Sequence, residues 1–462
     1  MNLSKVLAEY VKNFQYKDLD SAVISEAKIF FADCVGCMLA GVNEKPTSLV
    51  IEYADNFGGV PTASVLGKKD LTTDVYNAAI INGVAAHVHD YDDQLPSMNG
   101  HPSVPVLPAV ISMAERIGAS GEDTLFSYIT GVEVCHLMSL AFNRDDRYYS
   151  KGWHTTSTLG IFAATLAVCK LLDLSVEQMV NALGIAASES FGLKGNFGTM
   201  TKPLHAGRAA AKGIYCAEMA RIGYKSNPEI IEVSEGFGYV NNLTPDTDDV
   251  IRFIRQGKSA FLTPGINMKA WPCCKQNHSA INSIQILKGK YGFGPEDVEA
   301  IHCNVQPVIY DCLKYTEPVT SLQGKFSLNY NIALSVINGT VGLEDFDREE
   351  ITDQKIKDFM KKINMTVDME LSEGKYNNGK FDSIVKVYLK DGRILEEHTV
   401  DVKGDYLNKM SDKEIYNKFY DCAKRALNPA GIDKVKAALN NVEGMSNIKN
   451  LITTINESAI EH

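Results

Sequence analysis

Residues 78–88, AAIINGVAAHV, and residues 158–169, TLGIFAATLAVC, decide the fold class. Neither stretch carries a charged residue, and small or apolar side chains fall on every face of a helical repeat. Helices of that kind are buried on most sides, which requires a large helical bundle around them. Outward from these two, apolar residues at three and four spacing, broken at Gly, Pro or Asn, continue from residue 1 to about 225. The spacing predicts helices over 20–40, 75–89, 104–117, 121–141, 156–172, 175–188 and 205–222. Near residue 265 the period changes to two. VEAIHCNVQP (298–307), INMTVDMEL (363–371) and above all DSIVKVYLKDGRILEEHTVDV (382–402) read as strands, the last folded into a hairpin at Lys-Asp-Gly-Arg. Helical patterns at 275–290 and 326–338 lie among them. After about 405 the chain is helical again, SDKEIYNKFYDCAKRAL (411–427) opening with a Ser-x-x-Glu capping box. The expectation is a mainly α protein: an all-helical domain of residues 1–265 plus 406–462, interrupted by a smaller α+β domain over 266–405.

A length of 462 residues fits two or three domains, each able to bury a core without staples. With 46 Lys plus Arg against 57 Asp plus Glu the net charge is -11, and no basic block stands out, which argues against nucleic acid or an anionic membrane as partner. The first twenty residues carry charges every few positions, unlike a signal peptide or a membrane span, so a cytoplasmic location is expected. The ten cysteines mostly stand singly in apolar helical stretches, as reduced core thiols do. Cys34 and Cys37 form a CxxC inside FFADCVGCMLAG, but no second CxxC supplies further zinc ligands.

Chemistry concentrates in HVHDYDDQLPSMNGHPSVPVLP (87–108), a loop between two buried helices with three histidines and three carboxylates in fifteen positions. Three readings are open. His87, His89, Asp90, Asp92 and His101 include metal-ligand types, and the His-Asp pair at 89 and 90 resembles metal-dependent phosphohydrolases. The aspartates could instead cap the next helix in a purely structural loop, or the group could do general acid/base work. Other polar islands share the setting. RYYSKGWHTTSTLG (147–160) puts His154 just before a buried helix. TMTKPLHAGRAAAKG (199–213) sets Lys202, His205 and Arg208 at the start of another, a carboxylate-binding surface if the helix N-terminus joins in. INMKAWPCCKQNHSAINS (266–283) holds Lys269, Cys273, Cys274, Lys275 and His278, the cysteines reading as packing. LQGKFSLNYNIALSV (322–336) has Tyr330 at the head of an apolar helix. No GxGxxG follows a strand, so nucleotide binding is not expected.

In order, DYDD then GHPS, GWH, TKPLHAG, WPCC with a histidine four residues on, and KFSLNY resemble the MmgE/PrpD family over nearly the whole chain. The resemblance implies a large helical domain with a smaller α+β lid, a homodimer, and a site in the cleft between them that uses neither metal nor organic cofactor. Its catalytic residues would be Asp90, His101, His154, Lys202, His278 and Tyr330, with His87 in support; His205, Arg208 and Lys269 join His87 and Lys202 as substrate-binding candidates. In this reading His101 or His154 is the general acid/base, Lys202 and His278 bind carboxylates, Asp90 orients a histidine and Tyr330 donates a hydrogen bond or proton. The implied activity is that of a lyase on a di- or tricarboxylate. Gln94, Leu95 and Pro96 stand where the family's decarboxylases carry Thr-Trp-His, so dehydration of a 2-methylcitrate- or citrate-like acid is expected. Epimerisation or isomerisation of a carboxylate, or cis-aconitate-type decarboxylation, are the alternatives within the family.

Overall fold

A computed structural model describes residues 2–143, 148–232, 245–373 and 381–460. The uncharged stretches are helices Val75–His87 and Gly160–Leu171, and both are almost wholly buried. Asp74 caps the first by accepting from the backbone N–H groups of Tyr76 and Asn77. Around them pack helices Ser21–Gly41, Ser103–Ile117, Gly121–Phe142, Val176–Glu189 and Thr201–Arg221. Gly121–Phe142 is long and apolar enough to cross a bilayer, but 89% of its apolar window is buried inside the bundle. One hydrophobic core gathers residues from Leu3 to Met268 and again from Phe419 to Ile455. The returning helix Asp412–Ala423, with its Ser411/Glu414 capping box, lies on Ser21–Gly41. Buried Lys418 holds it there, 2.8 Å from Asp33 Oδ1 and donating to the Tyr91 carbonyl at 2.9 Å.

A second core runs from Trp271 to Val402 and takes in Phe197 from the helical side. Its sheet has the order Ile363–Val367, Val298–Val305, Ser383–Leu389, Ile394–Thr399; the first pair is parallel and the others antiparallel. Buried and half-buried residues alternate along Ser383–Leu389, as the period-two pattern requires of a strand covered on one face. Helix His278–Tyr291 packs on the sheet, and Leu328–Ile337 packs on that helix.

Two features of this architecture position the site. Helices Val75–His87 and Thr201–Arg221 cross at Gly83 and Gly207, where a Cβ on Gly83 would lie 2.6 Å from the Gly207 Cα. Glycine on both helices is what permits so close an approach. The segments that lead between the two cores are tied to the loop after His87. Gln94 and Asn267 exchange two backbone hydrogen bonds of 2.9 Å, and Asn267 Nδ2 donates to Gln94 Oε1 at 2.7 Å. Met268 N in turn donates to Gly404 O at 2.8 Å.

Candidate active site

The polar loop begins where helix Val75–His87 ends. Asp90 takes a left-handed conformation (φ 52°) with its N–H donating to His87 O, and Asn99 does the same at φ 49°. Asp and Asn tolerate that region better than other residues with a Cβ. Leu95 N donates to Gly100 O, closing the tip. His101 N then donates to Thr156 Oγ1 at 3.1 Å, which docks the second half of the loop on the segment that carries His154.

Hydrogen-bond logic assigns the protons. His101 Nδ1 lies 2.8 Å from the Asp93 carbonyl, which only accepts, so Nδ1 carries the proton and Nε2 keeps its lone pair. His87 Nδ1 lies 2.9 Å from Asp92 Oδ1, and its Nε2 faces Lys202 Nζ at 2.7 Å. His87 therefore donates to Asp92 and accepts from Lys202. Asp92 Oδ2 also sits 2.9 Å from His101 Nδ1, although that N–H is aligned on the Asp93 carbonyl. Asp90 Oδ1 is 3.3 Å from Lys202 Nζ, 3.6 Å from His101 Nε2 and in direct contact with Lys269 Nζ, which also donates to the Asp90 carbonyl at 2.6 Å.

Burial and charge set the protonation states. Burial would raise both aspartates, but Lys202 and Lys269 hold Asp90, and the two histidines hold Asp92, well below the usual carboxylate range. Burial drives His87 down to about 3 against the pull of Asp92, and lowers His101 for the same reason. His154 is pushed well below its ordinary value by burial, then by Lys202 and His205. Asp93 rises to about 8 through burial; it accepts from Ser103 Oγ at 2.5 Å at the start of helix Ser103–Ile117.

Asp90, His101, His154 and Lys202 line one narrow cavity of about 30 Å³ between the two cores. Asn99, Tyr149, Gln276, Phe326 and Phe381, to which the sequence assigns no role, help to complete it, as do Lys275 and Cys274, the latter expected only to pack. Asp92, expected only as a metal-ligand type or helix cap, lies against both histidine Nδ1 atoms; an acid flanked by histidines on either side in sequence is the available signal.

Six expected site residues, His205 among them, stand elsewhere. His87 lies one layer behind Lys202, at hydrogen-bonding distance from it. Lys269 is fully buried and engaged with Asp90, so it neutralises that carboxylate and does not face the cavity. His278 is buried against Trp271, its Nε2 3.3 Å from the Cys273 carbonyl. The Tyr330 hydroxyl donates to the Asp345 carbonyl at 2.9 Å, inside the smaller domain, and its motif reaches the cavity through Phe326 instead. Arg208 is exposed and shares a separate cavity with His205. Asp90 itself is a counter-ion to two lysines more than an orienter of His101.

His87, Asp90, Asp92 and His101 offer donor atoms within 4.8 Å of one another, the spacing of a metal site. Three of their donor atoms are already engaged, Asp90 Oδ1 by Lys269 and Lys202, His87 Nε2 by Lys202 and Asp92 Oδ1 by His87, while Asp90 Oδ2, Asp92 Oδ2 and His101 Nε2 have no hydrogen-bond partner among the described residues. Both histidine Nδ1 atoms carry protons. Two ammonium groups hold the place a divalent cation would take, so this donor set does not fit a resident metal.

Fold and cavity together define a two-domain, mainly helical protein with a histidine, lysine and carboxylate site of the proton-transfer kind. The chain belongs to the MmgE/PrpD family: the family's N-terminal domain matches residues 5–248 and its C-terminal domain residues 271–442. It is 24% identical to cis-aconitate decarboxylase of Mus musculus, over 92% of this chain and 88% of that protein. It is 24% identical to the Homo sapiens cis-aconitate decarboxylase, over 98% and 94%. To the mitochondrial 2-methylcitrate dehydratase of Yarrowia lipolytica it is 22% identical, over 94% and 86%.

Proposed function

We propose that the protein is a cofactor-independent lyase that dehydrates a citrate-like tricarboxylate through proton transfer next to a carboxylate. One observation carries this reading: His101 and His154, two imidazoles from different segments, line the same narrow cavity beside Lys202. Dehydration needs a base for the C–H proton and an acid for the departing hydroxyl. His101, with its Nε2 lone pair, is the base: the C–H bond breaks, the N–H bond forms, and the pair left on carbon forms the double bond as the C–O bond breaks. His154 protonates the leaving oxygen, which departs as water. The imidazolium formed at His101 is stabilised by Asp92 beside Nδ1 and Asp90 near Nε2. Lys202 has three N–H groups; His87 and Asp90 take two, leaving one for a substrate carboxylate. Stabilising charge where it develops is worth most in a site that excludes water.

At about 30 Å³ the cavity holds a single water, whereas small-molecule pockets span about 300–1,000 Å³. Substrate therefore enters by separation of the two domains that form the walls. A second reading, decarboxylation of an aconitate-type acid, is favoured by the names of the 24% identical relatives; it requires a single proton delivered to carbon. Epimerisation would use the same two imidazoles on opposite faces of one carbon. A homodimer in the cytoplasm belongs to this proposal, the first part testable by sedimentation.

The test is to incubate metal-free protein and chelator with di- and tricarboxylates in D₂O, following water loss, CO₂ release and deuterium uptake by NMR. Water loss from a citrate-like acid is the expected result. CO₂ release without it would move the assignment to decarboxylation, and deuterium exchange alone to epimerisation. Activity that appears only with a divalent metal would overturn the reading in favour of a metal-dependent phosphohydrolase.

A further inference from the structure

His154 has a second face. Its Nδ1 lies 3.1 Å from His205 Nδ1, so one proton sits between the two rings, while its Nε2 is buried without a hydrogen-bond partner among the described residues. His205, half-buried, lines a different cavity on the outer side of the same wall, together with Ser157, Ser190, Arg208 and Lys212. That cavity measures about 360 Å³. At about 30 Å³ per water it holds roughly a dozen molecules, against one in the narrow inner cavity. The imidazole pair is thus a two-residue bridge from the narrow site to a roomier, polar cavity.

Chemistry makes the bridge necessary. A neutral imidazole that gives up its Nε2 proton is left as an imidazolate, a very poor leaving state, unless Nδ1 gains a proton in the same step. Burial and the neighbouring Lys202 keep His154 from being charged beforehand. We propose that His205 recharges His154 from behind, drawing on the outer cavity, so that a neutral His154 acts as the acid in a site with room for about one water. This deepens the proposed lyase reading and rests on it.

In this scheme the His154 and His205 rings are neutral before and after the step. His154 Nε2–H breaks as its proton passes to the leaving oxygen, or to carbon in a decarboxylation. His205 Nδ1–H breaks as that proton moves to His154 Nδ1. A hydronium ion or buffer acid in the outer cavity gives the proton that forms the new His205 Nε2–H bond and is left as water or conjugate base. The proton that His101 took from carbon returns to solvent with product, so charge balances over the turnover. The starting tautomers return when the inner cavity opens to release product. His205 touches no substrate in this scheme and acts through His154, which departs from the expectation that it binds a substrate carboxylate.

The test uses His205→Ala and His205→Gln in the full chain, with the best acid found for the wild type. Loss of the relay lowers kcat by about 10²-fold, the low end for positioned proton transfer, while KM stays within a factor of a few. Added imidazole restores kcat saturably in His205→Ala, entering the space the side chain vacated, and has no effect on the wild type. His205→Gln fills that space and still donates to His154, but has no second ring nitrogen to be recharged; it loses kcat and is not rescued. Near wild-type kcat in either variant overturns the relay, as does a loss in His205→Ala that imidazole leaves unchanged. Should His205→Ala fail to fold, kcat and KM of His205→Gln decide the matter. A wild type inactive on every acid counts against the lyase reading, whereas an active wild type with unimpaired variants counts against the relay alone.

Discussion

The helical wall of the cavity and the wall from the smaller domain are built on opposite plans. On the helical side Asp90, Asp92, His87, His101, Lys202 and Lys269 form one continuous network of ionisable groups, each in contact with the next. The opposite wall presents Cys274, Lys275, Gln276, Phe326 and Phe381, and its lysines and Tyr330 are engaged on their own side. Tyr330 bonds to Asp345, the Lys325 ammonium stands 3.9 Å over the Phe346 ring, and Lys275 pairs with Asp405. Both walls come from motifs of the same kind, polar residues leading into a buried helix. A polar motif thus marks a site only when its atoms remain unsatisfied by their own domain. One wall supplies preorganised charge, and the other supplies closure and dryness.

Substitutions on the two walls should therefore differ in kind as well as in size. The largest effect is expected for His101→Ala, which removes the base and should lower kcat by about 10²–10⁴-fold with the fold intact by circular dichroism. Turnover within tenfold of wild type would break the assignment. Lys269→Met leaves the buried Asp90 short of a cation, and breaking such a pair costs about 3–5 kcal/mol, to be read from the shift in denaturant midpoint. An unchanged midpoint would mean that Lys202 alone suffices for Asp90.

The wild-type pH profile is next. A base is active when deprotonated, and burial lowers His101 from 6.5 despite Asp92, so activity should be lost only as pH falls through that lowered value. An acid limb of kcat/KM above 6.5 would show that Asp92 outweighs burial. The smallest effect belongs to the other wall. Tyr330→Phe removes one hydrogen bond inside the smaller domain and should cost about 1 kcal/mol of stability while leaving kcat within a few-fold. A loss of 10²-fold would put the Tyr330 hydroxyl back in the site.

Much of this was legible before any coordinates. Helices buried all round announce themselves through uncharged runs, so Val75–His87 and Ser103–Ile117 fall within two residues of their expected limits. The hairpin at 383–399 follows from strict alternation and a turn at Gly392 (φ 90°). Four of the site residues, Asp90, His101, His154 and Lys202, could be picked because they abut buried helices whose packing dictates where they go. What could not be read depends on partners remote in sequence. Lys269 is turned to Asp90 across 179 positions, and Tyr330 to a carbonyl on a later turn of its own domain. Arg208 illustrates a third cause. The helix starts at Thr201 instead of 205, so Arg208, six residues after Lys202, is rotated about 120° away from it.

The crossing at Gly83 and Gly207 gives the active centre a mechanical tolerance. His87 lies four residues beyond one glycine and Lys202 five before the other, so their 2.7 Å contact is measured out from a point where two backbones touch. A single methyl group there would act as a shim between the two helices. Divergence among relatives is then limited at positions with no side chain at all, and a chemist wishing to re-tool this centre should leave those two hydrogens alone.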